Sequence, residues 1–425
     1  MKTQPTRSAR DFWLFFAGQT ISNLGTSFTA FALPLLIYKL TGSAMNLALT
    51  TVFSMLPYLL FGLVIGAWVD RVDRKRLMIS IELINALLIA SIPLLAMFDS
   101  LPLWWIYTLT FVSSTIGIAF QSAEFSAIPS LVSQDDLVTA NGRIQASFSA
   151  AQVAGPLLAG MLVALMPIYD LLFIDAASFL ISAISLSLIG IRFNSEGETK
   201  DTNILQDVRE GLRYVWSHPV LRNISIMMAL VNFFGTTTFT QLVYFAQDRL
   251  HANDTQTGYL FSAGSLGVVA MGLLAGWFRK RWSFSTVALG ALTAQALFQI
   301  VFAVNGNFWL AIPLWALSNG LGILFNINTG SLRQAIVPNH MLGRVISIAG
   351  VIAWSAIPVG SYLGGLAIEK SGNVSLIYLV IGIIVLIIPN IFRFTALGRA
   401  EEYIPAASAP EVVPSGIVSQ AAAAD

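Results

Sequence analysis

The sequence contains no cysteine, and this absence excludes disulfide bonds, thiolate metal sites and a cysteine nucleophile. Histidine is rare, because only His218, His251 and His340 occur, and none belongs to an HExxH pattern or to a cluster with metal-ligand spacing. No Walker A pattern is present. We therefore expect a protein that is not an enzyme and that needs no cofactor or bound metal.

Charge is also scarce, since 11% of the 425 residues are charged and 56% are hydrophobic. A soluble protein of this length carries about 25% charged residues, so the composition predicts that lipid covers much of the surface. The basic residues lie in short breaks between apolar runs and form no broad face. Nucleic-acid binding therefore has no basis in the sequence.

Long apolar runs are abundant, and a membrane-spanning helix needs about 20 predominantly apolar residues. The stretch Trp282 to Leu332 lacks Asp, Glu, Lys and Arg, and its length predicts two spans with a hinge at Asn305, Gly306 and Asn307. We expect an all-α membrane protein whose twelve spans lie near residues 12–38, 46–69, 77–98, 103–122, 143–166, 169–191, 223–246, 256–278, 284–304, 308–330, 345–368 and 374–396.

The basic residues are distributed asymmetrically between the breaks. Of 23 Lys and Arg residues, only Lys39, Arg249 and Lys370 fall on one set of alternating breaks. Loops that stay in the cytoplasm retain Lys and Arg, so both termini are predicted to be cytoplasmic. Because the first apolar run is too long for a secretory signal, we interpret it as the first span.

The chain divides into two groups of six spans with features that recur across them. Gly62 and Gly66 precede one basic cluster, and Gly272 and Gly276 precede another at an offset of about 210 residues. Such a parallel repeat is typical of transporters that bind substrate between two halves. The expected segments are an N-terminal half (1–193), a linker with an amphipathic helix at the membrane surface (194–222), a C-terminal half (223–396) and a disordered cytoplasmic tail (397–425).

The loop after the second span carries a recognisable motif. From Gly66 to Arg76 it reads GAWVDRVDRKR, which resembles the loop motif of the major facilitator superfamily, with Asp73 where that family usually has glycine. The resemblance implies a cytoplasmic latch: Gly66 permits close helix packing, Asp70 faces the N-terminus of the eleventh span, and Arg71 and Arg74 balance its charge. The alternative is that the basic residues only fix topology.

The fifth span has the spacing of the superfamily's antiporter motif. It includes Gly142, Gly155, Pro156 and Gly160, with alanine at two of the six motif positions. Small residues permit tight packing and proline permits bending, so the resemblance points to export. The alternative is that these residues carry no transport role, because glycine and proline are common in membrane helices in general.

Several further segments resemble the branch of the superfamily that contains macrolide-efflux proteins and the enterobactin exporter. They are Asp175 to Leu180, Glu210 to Val215 with His218-Pro219, and Ala127 to Pro129 with Ala140-Asn141. The resemblance covers about residues 10–396 and implies a bacterial inner-membrane exporter of bulky amphiphilic molecules. We further expect small-molecule substrates, protons as the coupling ion and a functional monomer, while sodium coupling and a dimer stay open.

Carboxylates at membrane depth are the candidates for proton coupling, because such residues are costly to bury. Asp175 in the sixth span is the first candidate and Glu82 in the third span is the second. The alternative is that Asp175 holds a neighbouring helix by hydrogen bonds. The fourth span has no Lys or Arg, so the relay of relatives that carry an arginine there does not transfer to this chain.

Stripes of uncharged polar residues, such as Gln19, Asn23 and Ser27 at i, i+4 and i+8, are the candidates for a substrate cavity, although interhelical hydrogen bonding also explains them. We assign no Phe, Trp or Met residue to substrate. An importer or facilitator on the same fold, and a membrane sensor or assembly factor without transport, remain as alternatives. The candidate residues are Gln19, Asn23, Ser27, Gln121, Asn232, Thr236, Asn319 and Asn326.

Overall fold

The structure, a computed structural model, describes residues 9–69, 71–193 and 204–404. Within these ranges the regular elements are all helical, and eleven helices are long and apolar enough to cross a membrane. The helix Leu137–Leu162, which begins with polar residues such as Arg143 and Gln145, completes a twelve-helix arrangement in two halves. The predicted fold class is therefore confirmed.

The twelve long helices are called the first to twelfth spans. Those of the N-terminal half are Ala9–Thr41, Ala44–Val69, Arg74–Met97, Leu103–Leu131, Leu137–Leu162 and Ile168–Leu188. Those of the C-terminal half are Pro219–Thr240, Asp254–Arg281, Phe284–Val304, Phe308–Ile336, Asn339–Ser371 and Val374–Phe392. The seventh span is prolonged by Leu242–Tyr244 and by a π-helical turn, Phe245–Arg249.

Local sequence signals explain where several spans begin and end. The predicted hinge between the ninth and tenth spans is confirmed: the ninth span ends before Asn305, and the Asn307 side chain accepts the Leu310 N–H at 3.1 Å as an N-cap. The fourth and tenth spans continue beyond the predicted 122 and 330, to Leu131 and Ile336. Hydropathy marks only the part of a helix that lies in hydrocarbon, so it misses projecting turns.

The linker contains the predicted amphipathic helix, Ile204–Ser217, whereas residues 194–203 lie outside the described residues. Part of its apolar face packs on the start of the eleventh span, where Val215 is fully buried. A Cβ on Gly211 would lie 2.4 Å from Ile348 Cδ1, and Glu210 pairs with Arg344 at 2.8 Å. This helix is therefore docked on protein, and its place at the membrane surface stays a prediction.

The predicted disordered tail is wrong at its beginning. Residues Ala396–Tyr403 form a 3-10 helix after the twelfth span, with Leu397 and Ala400 buried. Glu401 accepts hydrogen bonds from the backbone N–H of Ser285 at 2.9 Å and from its hydroxyl at 2.7 Å. The carboxylate thus satisfies a free donor at the N-terminus of the ninth span. Residues 405–425 lie outside the described residues.

Candidate functional site

A cavity of about 470 Å³ lies between the two halves. It is bounded by the first, second and fifth spans on one side and by the seventh, eighth and tenth spans on the other. Its described lining residues include no Asp, Glu, Lys, Arg or His. The volume is that of a small-molecule site, and an uncharged wall suits lipophilic ligands.

Two of the predicted cavity residues line this space. They are Ser27 of the first span and Asn319 of the tenth, and Thr240 and Pro156 also belong to the wall. Ser27 donates a hydrogen bond to the Leu24 carbonyl, and Asn319 donates to the Trp315 carbonyl at 2.9 Å. The Ser27 hydroxyl donor is engaged within its own helix, whereas the Asn319 amide keeps a second N–H and its acceptor oxygen for a ligand.

The other predicted cavity residues lie elsewhere. Gln19 is buried and donates to Ser182, and Asn232 donates to the Ala353 carbonyl of the eleventh span at 2.9 Å. These two contacts are interhelical, which matches the structural alternative. The remaining four residues are outside the cavity wall: Asn23 and Thr236 are half-buried, and Gln121 and Asn326 are exposed.

Sequence reasoning missed much of the wall. The fifth span contributes Gln145, Ser149 and Gln152 at i, i+4 and i+7, a spacing that places all three on one face of the helix. That signal was available in the sequence. Aromatic residues, to which no role was assigned, are also prominent in the wall, and they are Phe31, Phe148, Phe239, Phe261 and Trp315.

The two candidate carboxylates lie inside the N-terminal half, away from this cavity. Glu82 and Asp175 are buried where the third and sixth spans meet the first, a region that we call the carboxylate seam. Ser182 donates to Glu82 at 2.6 Å, and it accepts from Gln19 at 3.1 Å. Thr29 donates to Asp175 across the same helix contact. Each carboxylate is therefore held by hydroxyl donors from neighbouring spans.

Small residues bring these helices close enough for such bonds. A Cβ on Gly25 of the first span would lie 2.6 Å from the Asp175 carboxylate and 2.1 Å from the Ser178 hydroxyl. A Cβ on Gly18, two turns earlier, would lie 2.8 Å from Ser185. Glycine on one helix and serine on the other is a membrane packing pattern in which close backbones and hydroxyl bonds replace apolar side chains.

The corresponding contact in the C-terminal half is built without a carboxylate. There Gln299 of the ninth span donates to the Thr238 hydroxyl of the seventh at 2.7 Å. The Tyr378 hydroxyl of the twelfth span donates to the Thr238 carbonyl at 2.7 Å. Neutral groups are therefore sufficient to join three spans in this arrangement.

Glycine contacts join the two halves at one end of the bundle. A Cβ on Gly160 of the fifth span would lie 3.0 Å from the Gly258 Cα of the eighth span. A Cβ on Gly365 of the eleventh span would lie 2.5 Å from the Ala48 Cβ of the second span. We call this end the closed end. Gly155 packs on Ser27, whereas Gly142 would place a Cβ in open space.

Polar contacts also cross between the halves at the closed end. Lys39 pairs with Asp254, and the Ser43 hydroxyl donates to Glu369 at 3.0 Å. Thr255 donates to the Gly160 carbonyl at 2.7 Å, beside the glycine crossing. These bonds hold together the ends of the spans next to the loops that have few basic residues.

The predicted latch lies at the opposite end. Gly66 is in the last turn of the second span, Asp70 lies outside the described residues, and Arg71 is exposed. Arg74 donates to the Phe193 carbonyl at 3.3 Å, beyond the C-terminus of the sixth span, where a cation is favoured. Asp73 N-caps the third span with a φ of −68°, so glycine is not required there.

Comparisons with known proteins match the whole membrane portion. The family described as transmembrane secretion effector matches residues 4–420. Macrolide efflux protein A of Streptococcus pyogenes is 26% identical over 369 residues, which cover 85% of this chain and 90% of that protein. Multidrug efflux pump Tap of Mycolicibacterium fortuitum is 24% identical over 400 residues, which cover 89% of this chain and 95% of that protein.

Solved structures show the same fold at lower identity. A point mutant of the nucleoside transporter NupG has a TM-score of 0.75 at 10% identity, with 91% of this chain and 99% of that chain covered. The inward-facing state of a bacterial homologue of the iron transporter ferroportin has a TM-score of 0.67 at 14% identity. The match covers 91% of this chain and 99% of that chain. The outward-facing state of that homologue has a TM-score of 0.57 at 16% identity, and the match covers 92% of this chain and 99% of that chain.

Proposed function

Since this chain belongs to the transmembrane secretion effector family of the major facilitator superfamily and is a multi-pass membrane transporter, we propose that it exports lipophilic or amphiphilic small molecules by alternating access. The observation that carries this proposal is the cavity between the halves, with its aromatic and uncharged polar wall. Two of its relatives are named as efflux proteins, which supports transport out of the cell.

The cavity wall favours ligands with large apolar surfaces. Aromatic side chains offer wide contact faces, and their π-systems attract a cation without a buried carboxylate. Amide and hydroxyl groups such as Gln152 and Ser149 orient a ligand. This chemistry suits macrolide-like or siderophore-like compounds better than small charged solutes.

Proton antiport through the carboxylate seam would power export. Burial of a carboxylate is costly, and the C-terminal half forms the matching three-helix contact with Gln299, Thr238 and Tyr378 alone. The neutral groups in that contact support a role beyond packing for Glu82 and Asp175 in the N-terminal seam. Because neither residue lines the cavity, coupling would act through movement of the first span, which borders both places.

Orientation follows from the distribution of basic residues, so the closed end would face the outside and both termini the cytoplasm. The structure would then represent the state in which substrate enters from the cytoplasm. The segment from Gly66 to Arg76 would close the inner end in the alternate state, with Asp70 at the eleventh span.

Accumulation of macrolides, lipophilic dyes and siderophores in cells with and without the protein tests this function. Expression should lower accumulation, and a protonophore should abolish the difference. Higher accumulation would indicate an importer or facilitator. No change for any compound would contradict export of this substrate class.

A further inference from the structure

A second cavity, distinct from the one between the halves, opens between the ninth and twelfth spans. It has a volume of about 410 Å³ and lies where the 3-10 helix packs on the start of the ninth span. This is the end of the bundle that carries most of the basic residues. We call it the groove, and its principal lining residues are Leu289, Thr293, Leu297, Asn390 and Arg393.

The groove faces the surface that contacts lipid. Apolar side chains around it are exposed, including Leu297 on the ninth span and Ile387 and Ile391 on the twelfth. Phe394, beside the groove, is 90% exposed. An exposed apolar band of this kind belongs in the bilayer, so the groove opens toward lipid.

Arg393 brings a positive charge to this lipid-facing position. Among the described residues its guanidinium has no hydrogen-bond or ion-pair partner. Its backbone is held in a tight turn, because a Cβ on Gly398 would lie 1.9 Å from the Arg393 carbonyl oxygen. Burial of Leu397 and the bonds between Glu401 and Ser285 anchor that turn. The fold therefore fixes the backbone from which this cation lines the groove.

Two polar side chains on the wall donate hydrogen bonds within their own helices. Thr293 donates to the Leu289 carbonyl at 2.8 Å, and the Asn390 amide donates to the Leu386 carbonyl at 2.7 Å. What remains for a ligand is the five N–H groups of Arg393, the second amide N–H of Asn390 and the acceptor oxygens of Thr293 and Asn390. No carboxylate is among the lining residues that the structure describes.

We propose that the groove is a binding site for an anionic phospholipid. The phosphate bonds to Arg393, head-group hydroxyls donate to Asn390 and Thr293, and the start of one acyl chain lies along Leu289 and Leu297. A guanidinium binds phosphate with two parallel hydrogen bonds, and basic pockets between membrane helices bind anionic head groups. The lipid-facing position favours a phospholipid over a phosphate ion from water.

The first test measures thermal unfolding of the full-length protein in detergent with added lipid. Phosphatidylglycerol should raise the melting temperature, whereas phosphatidylcholine and inorganic phosphate should not. Arg393→Gln should weaken phosphatidylglycerol binding by roughly tenfold, equivalent to about 1.4 kcal/mol, because charged hydrogen bonds to the phosphate are lost. Arg399→Gln is the matched control, because Arg399 is exposed on the 3-10 helix but does not line the groove.

A second variant tests the groove while Arg393 remains intact. A Cβ on Gly290, which lines the groove, would meet nothing within 4 Å, so Gly290→Leu adds bulk to the wall at a position where a Cβ displaces no backbone. It should block the lipid effect, and Gly350→Leu, at another open glycine, should not. Binding that survives both Arg393→Gln and Gly290→Leu would overturn the proposal. An equal loss in Arg399→Gln, or an equal response to inorganic phosphate, would overturn it as well.

Discussion

Gly160 and Gly258 lie so close that a Cβ on either residue would touch the backbone of the other span: 3.0 Å from the Gly258 Cα in one direction and 2.9 Å from the Gly160 Cα in the other. The fifth and eighth spans belong to different halves, so this crossing helps to set how closely the halves approach. A related crossing joins Gly365 to Ala48. The two contacts follow the pseudo-symmetry of the halves, because the pair of spans five and eight corresponds to the pair eleven and two.

Gly258→Val should hold the closed end apart. The added atoms meet the Pro156 carbonyl and the Gly160 backbone, which cannot rotate away, and such overpacking costs about 1–3 kcal/mol. Export should fall roughly tenfold, because a cost of about 1.4 kcal/mol lowers the population of the state with this end closed by that factor. Gly117→Val is the control, because its Cβ would meet nothing within 4 Å.

The natural absence of cysteine permits a direct readout of the same change. A single cysteine in place of Ser265, which lines the cavity, should react faster from the closed end in the Gly258→Val background. Unchanged reactivity together with unchanged export would contradict the role assigned to the glycine crossing.

Asp175→Asn should abolish gradient-driven export and leave insertion and folding intact. Asparagine has nearly the same volume and retains an acceptor for the Thr29 hydroxyl, but it cannot carry a proton at this position. Transport into inverted vesicles, driven by an imposed pH difference, measures the effect. Ser178→Ala, which removes a neighbouring hydroxyl bond at 3.2 Å without removing a titratable group, is the control. Normal pH-driven transport by Asp175→Asn would remove this residue from the coupling role.

Phe148→Ala should weaken substrate binding without loss of protein. Phe148 lines the cavity from the fifth span, and an aromatic contact is worth about 0.5–1.5 kcal/mol beyond the area that it buries. We expect the concentration for half-maximal export to rise roughly tenfold. Phe125→Ala, in an exposed residue outside the cavity wall, serves for comparison. Equal effects of the two substitutions would argue against the cavity as the substrate site.

Glu401→Gln should destabilise the docked 3-10 helix at neutral pH by about 1–2 kcal/mol, because charged hydrogen bonds to Ser285 are weakened. Burial raises the pKa of Glu401, but hydrogen bonds from the backbone and hydroxyl of Ser285 outweigh it, so the pKa lies below its ordinary value. The stabilisation is therefore complete above the ordinary carboxylate pKa of about 4.3 and is lost as pH falls through the lowered value.

Thermal unfolding at two pH values measures this effect. The difference between wild type and Glu401→Gln should be largest near neutral pH and should shrink in acid. Glu402→Gln alters an exposed neighbour and should change little at either pH. A difference that stays constant down to strongly acidic pH would mean that the carboxylate charge does not hold the helix.

The polar stripes show what sequence periodicity can and cannot determine. A stripe at i, i+4 and i+8 identifies one helix face, but it does not say whether that face meets the cavity or a neighbouring helix. Gln19 and Ser27 belong to one stripe of the first span, yet Gln19 bonds to Ser182 while Ser27 lines the cavity. Two turns of helix separate them, and a tilted helix changes its neighbours over that distance.

The sequence by itself determined the number of spans, their division into halves and the family, because hydropathy, loop charge and short motifs are properties of contiguous residues. Only the tertiary structure decided that the carboxylates share a seam apart from the cavity, that aromatic residues line the cavity, and that Glu401 fastens the last helix to Ser285. These relationships join residues far apart in the chain, and they depend on how each helix is rotated and tilted against its neighbours. Packing sets those angles, and no local pattern in the sequence encodes them.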